Sequence, residues 1–134
     1  MSACVLDTDV VIAALDRADA HHRVSADVVR AMVAAGTPML LSLVNYAETL
    51  VRPAEDEAAL RSAVTAIEAL GFQLIAPTVA IARHAARLRG LGISLADGFA
   101  LATAHAHAAS LASFDQRVRR ALPAAGIELA PALR

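Results

Sequence analysis

The sequence predicts an α/β fold, a mostly parallel sheet of five strands covered by helices on both faces. Three observations carry this. The apolar pattern switches repeatedly between short strand-like runs and longer helical stretches, and such alternation builds right-handed βαβ units with parallel pairing. Apolar residues make up 57% of the chain and 34 of the 134 residues are alanine, which favours closely packed helices. Gly36, Gly71, Gly90 and Gly126 punctuate the pattern where helices or turns end.

The elements follow in order. Ala3-Cys4-Val5-Leu6 is an apolar run closed by Asp7-Thr8-Asp9, and Val10 to Ala14 continues as a short helix. A second helix spans roughly 20–35. The turn Gly36-Thr37-Pro38 introduces a second strand at Met39-Leu40-Leu41. Leu43 to Val51 reads as a helix stopped before Pro53, and Asp56 to Leu70 as one capped by Gly71. Phe72-Gln73-Leu74-Ile75 is the third strand, and a helix over Thr78 to Arg89 ends at Gly90. The helix Leu95 to Ala109 feeds the fourth strand, Ser110 to Ser113, and Ile127-Glu128-Leu129 is the fifth. No repeat, linker or low-complexity tract interrupts this, so residues 1–134 are expected to form a single domain.

Composition excludes several function classes. The apolar content is too high for a disordered chain. All twelve basic residues are arginine, so no P-loop or Schiff-base lysine exists. Cys4 is the only cysteine, which removes intramolecular disulfides and cysteine-based zinc sites and fits a reducing cytoplasm. No basic segment precedes the first apolar run, so no signal peptide is expected. The two longest uncharged stretches, 31–47 and 98–114, carry Pro38 and Asn45 or His105 and His107, and no membrane span is expected. Tyr46, Phe72, Phe99 and Phe114 are the only aromatic rings besides histidine, too few for RNA binding through stacked platforms.

In open parallel sheets, sites form beyond the carboxyl ends of the strands, near the point where strand order reverses. Four acids fall at such places. Asp7 ends the first strand, Asp115 lies just past the fourth, Glu48 is on the helix after the second, and Asp97 opens the helix that leads to the fourth. Each has a structural alternative. Asp7-Thr8-Asp9 suits a helix cap, Ser94-Leu95-Ala96-Asp97 has capping-box spacing, Ser113-Phe114-Asp115-Gln116 fits an N-cap, and Glu48 could be a solvated helix residue. As a set they are harder to explain this way, because Glu48 caps nothing. Converging carboxylates raise one another's pKa unless a cation intervenes, and Mg²⁺ or Mn²⁺ prefers such oxygen donors. The chemistry this implies is metal-assisted hydrolysis of a phosphodiester.

These segments resemble a known family. Val5-Leu6-Asp7-Thr8-Asp9-Val10-Val11-Ile12 is similar to the opening strand of PIN domains, which carries their first catalytic Asp. Leu41 to Thr49 resembles the segment with their Glu, Ser94 to Ala102 their third acidic motif, and Leu111 to Asp115 their fourth, with Ser113 where Thr is common. The likeness covers residues 3 to 129 in a compact form similar to VapC-like toxins of type II toxin–antitoxin modules. It implies a three-layer α/β/α sandwich and a Mg²⁺- or Mn²⁺-dependent endoribonuclease that activates water at Asp7, Glu48, Asp97 and Asp115. It also implies a homodimer, a tRNA or ribosomal RNA substrate, and an antitoxin that blocks the site. Thr8 and Ser113 are candidate hydroxyls for orienting the carboxylates. Asp9 departs from the Ser or Asn frequent in the family and stays outside the core set.

Two rival readings stand beside this. Leu6-Asp7-Thr8-Asp9-Val10-Val11 also fits the opening of haloacid-dehalogenase-like phosphatases, with Asp7 as nucleophile and Asp9 as acid/base, but the chain lacks the downstream lysine usual there. The other rival is an inactive PIN-like interaction module. Arginines cluster at Arg83, Arg87 and Arg89 and at Arg117, Arg119 and Arg120. Neutralising four site acids turns the formal charge of −1 into +3, so RNA can still be attracted, and Arg117 is the leading phosphate contact. His21, His22, His84, His105 and His107 lack zinc-ligand spacing and read as ordinary surface or core residues.

Overall fold

The computed structural model describes residues 2–134. Strand β1 (Cys4–Leu6) leads into α1 (Thr8–Leu15) and α2 (His22–Ala35), then β2 (Met39–Ser42), α3 (Leu43–Leu50) and α4 (Glu57–Ala69). Strand β3 (Gln73–Ile75) is followed by α5 (Val79–Leu88) and α6 (Leu95–Ala106), then β4 (Ser110–Ala112) and α7 (Gln116–Ala125). Single 3-10 turns lie at Pro53–Glu55, Arg89–Leu91 and Pro131–Leu133.

The sheet is parallel throughout, in the order β3-β2-β1-β4. The chain moves outward from β1 to β2 and β3, then returns to the other side of β1. The order therefore reverses between β1 and β4, where Val5 faces Leu111 and Leu6 faces Ala112. Side chains along each strand alternate between two cores. Val5, Leu40 and Leu111 pack with Ile81, Ala85, Leu101 and Val118. Cys4, Leu6, Leu41 and Ala112 pack with Val10, Val28, Met32 and Ile67. Helices α5, α6 and α7 thus cover one face and α1, α2 and α4 the other, which is a three-layer sandwich. No helix among the described residues is long and apolar enough to cross a membrane.

Three sequence expectations are corrected. The sheet has four strands, not five: Ile127-Glu128-Leu129 makes only an isolated bridge, Leu129 to Leu111. The chain there leaves the ladder at once and enters the 3-10 turn at Pro131. A seventh helix, α7, occupies a region to which the sequence assigned no element. Val118, Ala121 and Leu122 form its buried stripe at helical spacing, and Pro123 lies inside it. Helix α6 also stops at Ala106, short of the expected Ala109, and Ala108 turns the chain into β4 at φ 50°.

One close contact positions the site. A Cβ on Gly98 would stand 2.9 Å from the carbonyl oxygen of Ala85. Only a glycine lets the first turn of α6, which carries Asp97, lie this close to α5.

Candidate active site

Asp7 leaves β1 and is the N-cap of α1, 2% exposed. Its Oδ1 accepts from the Thr8 amide at 2.9 Å and its Oδ2 from the Ser113 hydroxyl at 2.9 Å. Ser113 in turn accepts from the Asp115 amide at 3.2 Å. One serine thus ties the ends of β1 and β4 together across the reversal point. Asp115 is the N-cap of α7, its Oδ1 taking the amides of Arg117 at 2.8 Å and Val118 at 3.2 Å. Asp97 sits in the first turn of α6, where its amide donates to the Ser94 hydroxyl at 3.1 Å. The capping alternatives for these three acids hold as geometry, yet Asp97 also interacts with each of the other two.

Glu48 comes from α3 and is exposed. The Thr8 hydroxyl donates to its Oε1 at 2.7 Å. Asn45, one turn earlier and fully buried, binds three elements through Nδ2: Thr8 Oγ1 at 3.0 Å, Glu48 Oε1 at 3.4 Å and the Ala96 carbonyl at 3.2 Å. Sequence reasoning missed Asn45 as a functional residue. A signal was present, because Asn is a poor helix former and here falls three residues before Glu48 on an apolar helix. Asp9 was left outside the core set. Its Oδ2 accepts the Phe114 amide at 3.0 Å, anchoring the loop after β4 to α1.

The electrostatics identify these acids as one cluster. Burial, then the Asp97 and Asp9 carboxylates, push Asp7 up to about 8. Burial raises Asp97 as well, with Asp115 and Glu48 adding to the rise while hydrogen bonds from Ser94 and Asp7 oppose it. Asp9 is raised by burial, with Asp115 and Asp97 contributing and the Phe114 and Val10 amides opposing. Among the described residues, no ion pair involves any of these five acids. Two buried acceptor oxygens, Asp9 Oδ1 and Asn45 Oδ1, have no hydrogen-bond partner among the described residues. A hard divalent cation fits this donor set: oxygen ligands only, excess negative charge and unused acceptors. Among the described residues no three acids, histidines or cysteines stand close enough together to hold an ion between them, so a cation here would draw further ligands from water, as Mg²⁺ does.

The remaining candidates are dispersed. The backbone amide of Arg117 is held by Asp115, but its guanidinium is exposed on α7 and has no partner among the described residues. Arg119 Nε donates to the Ser113 carbonyl at 2.7 Å and Arg89 Nη1 to the Ile93 carbonyl at 2.8 Å, so both brace loops beside the site. The His21 ring stacks on Phe114 with centroids 4.4 Å apart, and His22 Nδ1 contacts the Ala13 carbonyl at 2.7 Å. His84 and His105 meet edge-on at 4.8 Å on the outer side of α5 and α6, and His107 is exposed.

Known proteins show the same architecture. FitAcB from Neisseria gonorrhoeae superposes with a TM-score of 0.72 at 19% identity, covering 98% of this chain and 99% of that one. VapBC2 from Rickettsia felis, solved with promoter DNA, gives 0.74 at 16%, covering 95% and 96%. The Mycobacterium tuberculosis sarcin–ricin loop cleaving toxin VapC20 gives 0.69 at 18%, covering 89% and 95%. At these identities the likeness concerns the fold. No curated protein matches the sequence. The PIN domain model matches residues 4–121, spanning all four strand-end acids, and on that match the chain belongs to the PIN domain family.

Proposed function

We propose that this protein is an endoribonuclease toxin of a toxin–antitoxin module, hydrolysing RNA phosphodiesters with Mg²⁺ or Mn²⁺. The observation that carries the reading is the group of carboxylates gathered around Asp97, with Asp7, Glu48 and Asp115 each acting on it and no cationic side chain paired to any of them among the described residues. Asp7, Glu48, Asp97 and Asp115 would hold the cation. When bound, it supplies Lewis acidity toward a phosphate oxygen and a more acidic water. The chain's own residues do the rest. Ser113 fixes Asp7, Thr8 and Asn45 fix Glu48, and Ser94 fixes the turn that carries Asp97. Asp9 holds the Phe114 amide, which keeps Asp115 at the mouth of the site.

The biological setting rests on the structural neighbours. A toxin–antitoxin complex from Klebsiella pneumoniae with the same fold supports a cognate antitoxin, and the sarcin–ricin loop cleaving toxin VapC20 supports an RNA loop as substrate, with ribosomal RNA or tRNA as the classes to test. An apolar groove of about 570 Å³ runs between Ile12, Leu15, Ala63 and Ala66 and reaches Glu48, so an antitoxin segment seated there closes the site. A homodimer in a reducing cytoplasm completes the reading. The deciding experiment incubates the purified protein with total tRNA and ribosomal RNA, with Mg²⁺, with Mn²⁺ and with EDTA. Cleavage that depends on the cation and disappears in Asp97→Asn supports the reading. Cleavage undiminished in EDTA, or equal in Asp97→Asn, removes it.

A further inference from the structure

A second feature of α7 lies outside the carboxylate cluster. A cleft of about 340 Å³ is lined by Leu91, Gly92, Arg117, Arg120, Ala121 and Ala124. Its two walls start at the site. Arg117 follows Asp115 by two residues, and Gly92 precedes Ser94, the cap of the helix that bears Asp97, by two. No acid lines it. The helix sorts its three clustered arginines by direction: Arg119 turns back to the Ser113 carbonyl, while Arg117 and Arg120, one turn apart on one face, line the cleft. Both of these are exposed, and neither guanidinium has a hydrogen-bond or ion-pair partner among the described residues. The opposite wall offers Leu91, 41% exposed, and Gly92, which has no side chain and takes φ 80°.

We propose that this cleft is a subsite for single-stranded RNA leaving the carboxylate cluster. Arg117 and Arg120 each hold one of two successive phosphates, and one base lies flat against Leu91 and Gly92. Side chains three apart on a helix stand about 5–6 Å from each other, which suits neighbouring phosphates on one strand. Guanidinium groups grip phosphate through paired N–H donors and stay charged at every physiological pH. A cation at the cluster engages the phosphate at the cleavage point, so the neighbouring phosphates need anchoring charge beside it, and this wall provides it. The inference rests on the nuclease reading and adds to it the two side chains that hold the strand beside the cleavage point.

The test compares the parent with Arg120→Ala, Arg117→Ala/Arg120→Ala and, as a control, Arg17→Ala. Cleavage of a short single-stranded RNA of mixed sequence is followed across a salt series with Mn²⁺. Binding of the same RNA, fluorescein-labelled, is read by anisotropy with the cleavage-deficient Asp97→Asn protein as host. Arg120→Ala is expected to raise KM about fivefold with kcat within about twofold, and to lower the salt slope by about one. The double variant should lower it by about two, and Arg17→Ala by none. Annealing a complementary strand should suppress cleavage. Unchanged KM and slope in Arg120→Ala while the parent cleaves would overturn the subsite and leave the nuclease reading standing. Should the parent cleave nothing, the nuclease reading falls, and anisotropy decides the subsite alone: weaker binding in the double variant supports it, equal binding overturns it.

Discussion

Asp7 concentrates the cost of the site in one side chain. Its folded-state pKa of about 8 lies above its unfolded value, so the native state holds a proton that the unfolded state has released. Between roughly pH 4 and pH 8 the unfolded chain therefore binds fewer protons, and stability falls as pH rises. The metal-free protein should lose melting temperature across that window, and Asp7→Asn should flatten the loss. At pH 8 the variant should melt at least about 3 °C higher than the parent while failing to cleave RNA. Calorimetry at pH 4 and pH 8 in EDTA checks both halves, and a variant less stable than the parent at pH 8 would remove the repulsion argument. Asn45 makes the complementary case. Asn45→Ala leaves Thr8, Glu48 and the Ala96 carbonyl without a shared donor, and should lower activity about 10–100-fold and stability by about 1–3 kcal/mol. Urea unfolding and initial rates measure this. Asp7, Asp97 and Asp115 were legible in the sequence because strand ends and helix caps leave local marks. Asn45 and Asp9 were not, because their partners Ala96 and Phe114 lie far along the chain.

Among the elements, α6 carries the tightest constraint. Gly98→Ala puts a methyl group against the Ala85 carbonyl, a backbone atom that cannot yield without moving α5. Overpacking of about 1–3 kcal/mol outweighs the roughly 1 kcal/mol that alanine gains over glycine in a helix. The variant should melt lower and cleave more slowly, since the turn holding Asp97 shifts with it. A higher melting temperature would contradict the contact. Helix α7 shows why the sequence reading stopped early: Pro123 and three arginines obscured a buried stripe only three residues strong, Val118, Ala121 and Leu122. The fifth strand failed for the opposite reason. Ile127-Glu128-Leu129 has a strand's composition, but only one residue of it reaches a bridge.

For the molecule as a whole, binding energy of the cation becomes folding energy. A ligand that binds only the native state at a hundred times its dissociation constant adds about 2.7 kcal/mol. Mn²⁺ should therefore raise the melting temperature at pH 8, EDTA should reverse the rise, and Asp97→Asn should blunt it. Thermal scans over a Mn²⁺ titration test this, and a flat response would refute the metal site. The apolar content also has to be accommodated. Val24, Val33, Val51, Leu74, Val79 and Leu95 remain exposed on the single chain, and a dimer is expected to cover part of this area. Light scattering at micromolar concentration should give twice the chain mass, and a monomer would contradict it.

The double duty of the acids has an evolutionary consequence. Asp7 and Asp115 cap helices as well as belonging to the cluster, and asparagine or serine caps a helix nearly as well. On the toxin reading proposed above, a host selected to survive unrestrained expression has an escape route that leaves the protein folded and abundant: one-step changes to Asn at 7 or 115. Glu48 caps nothing and is under no such restriction, so its replacements among survivors should be chemically diverse.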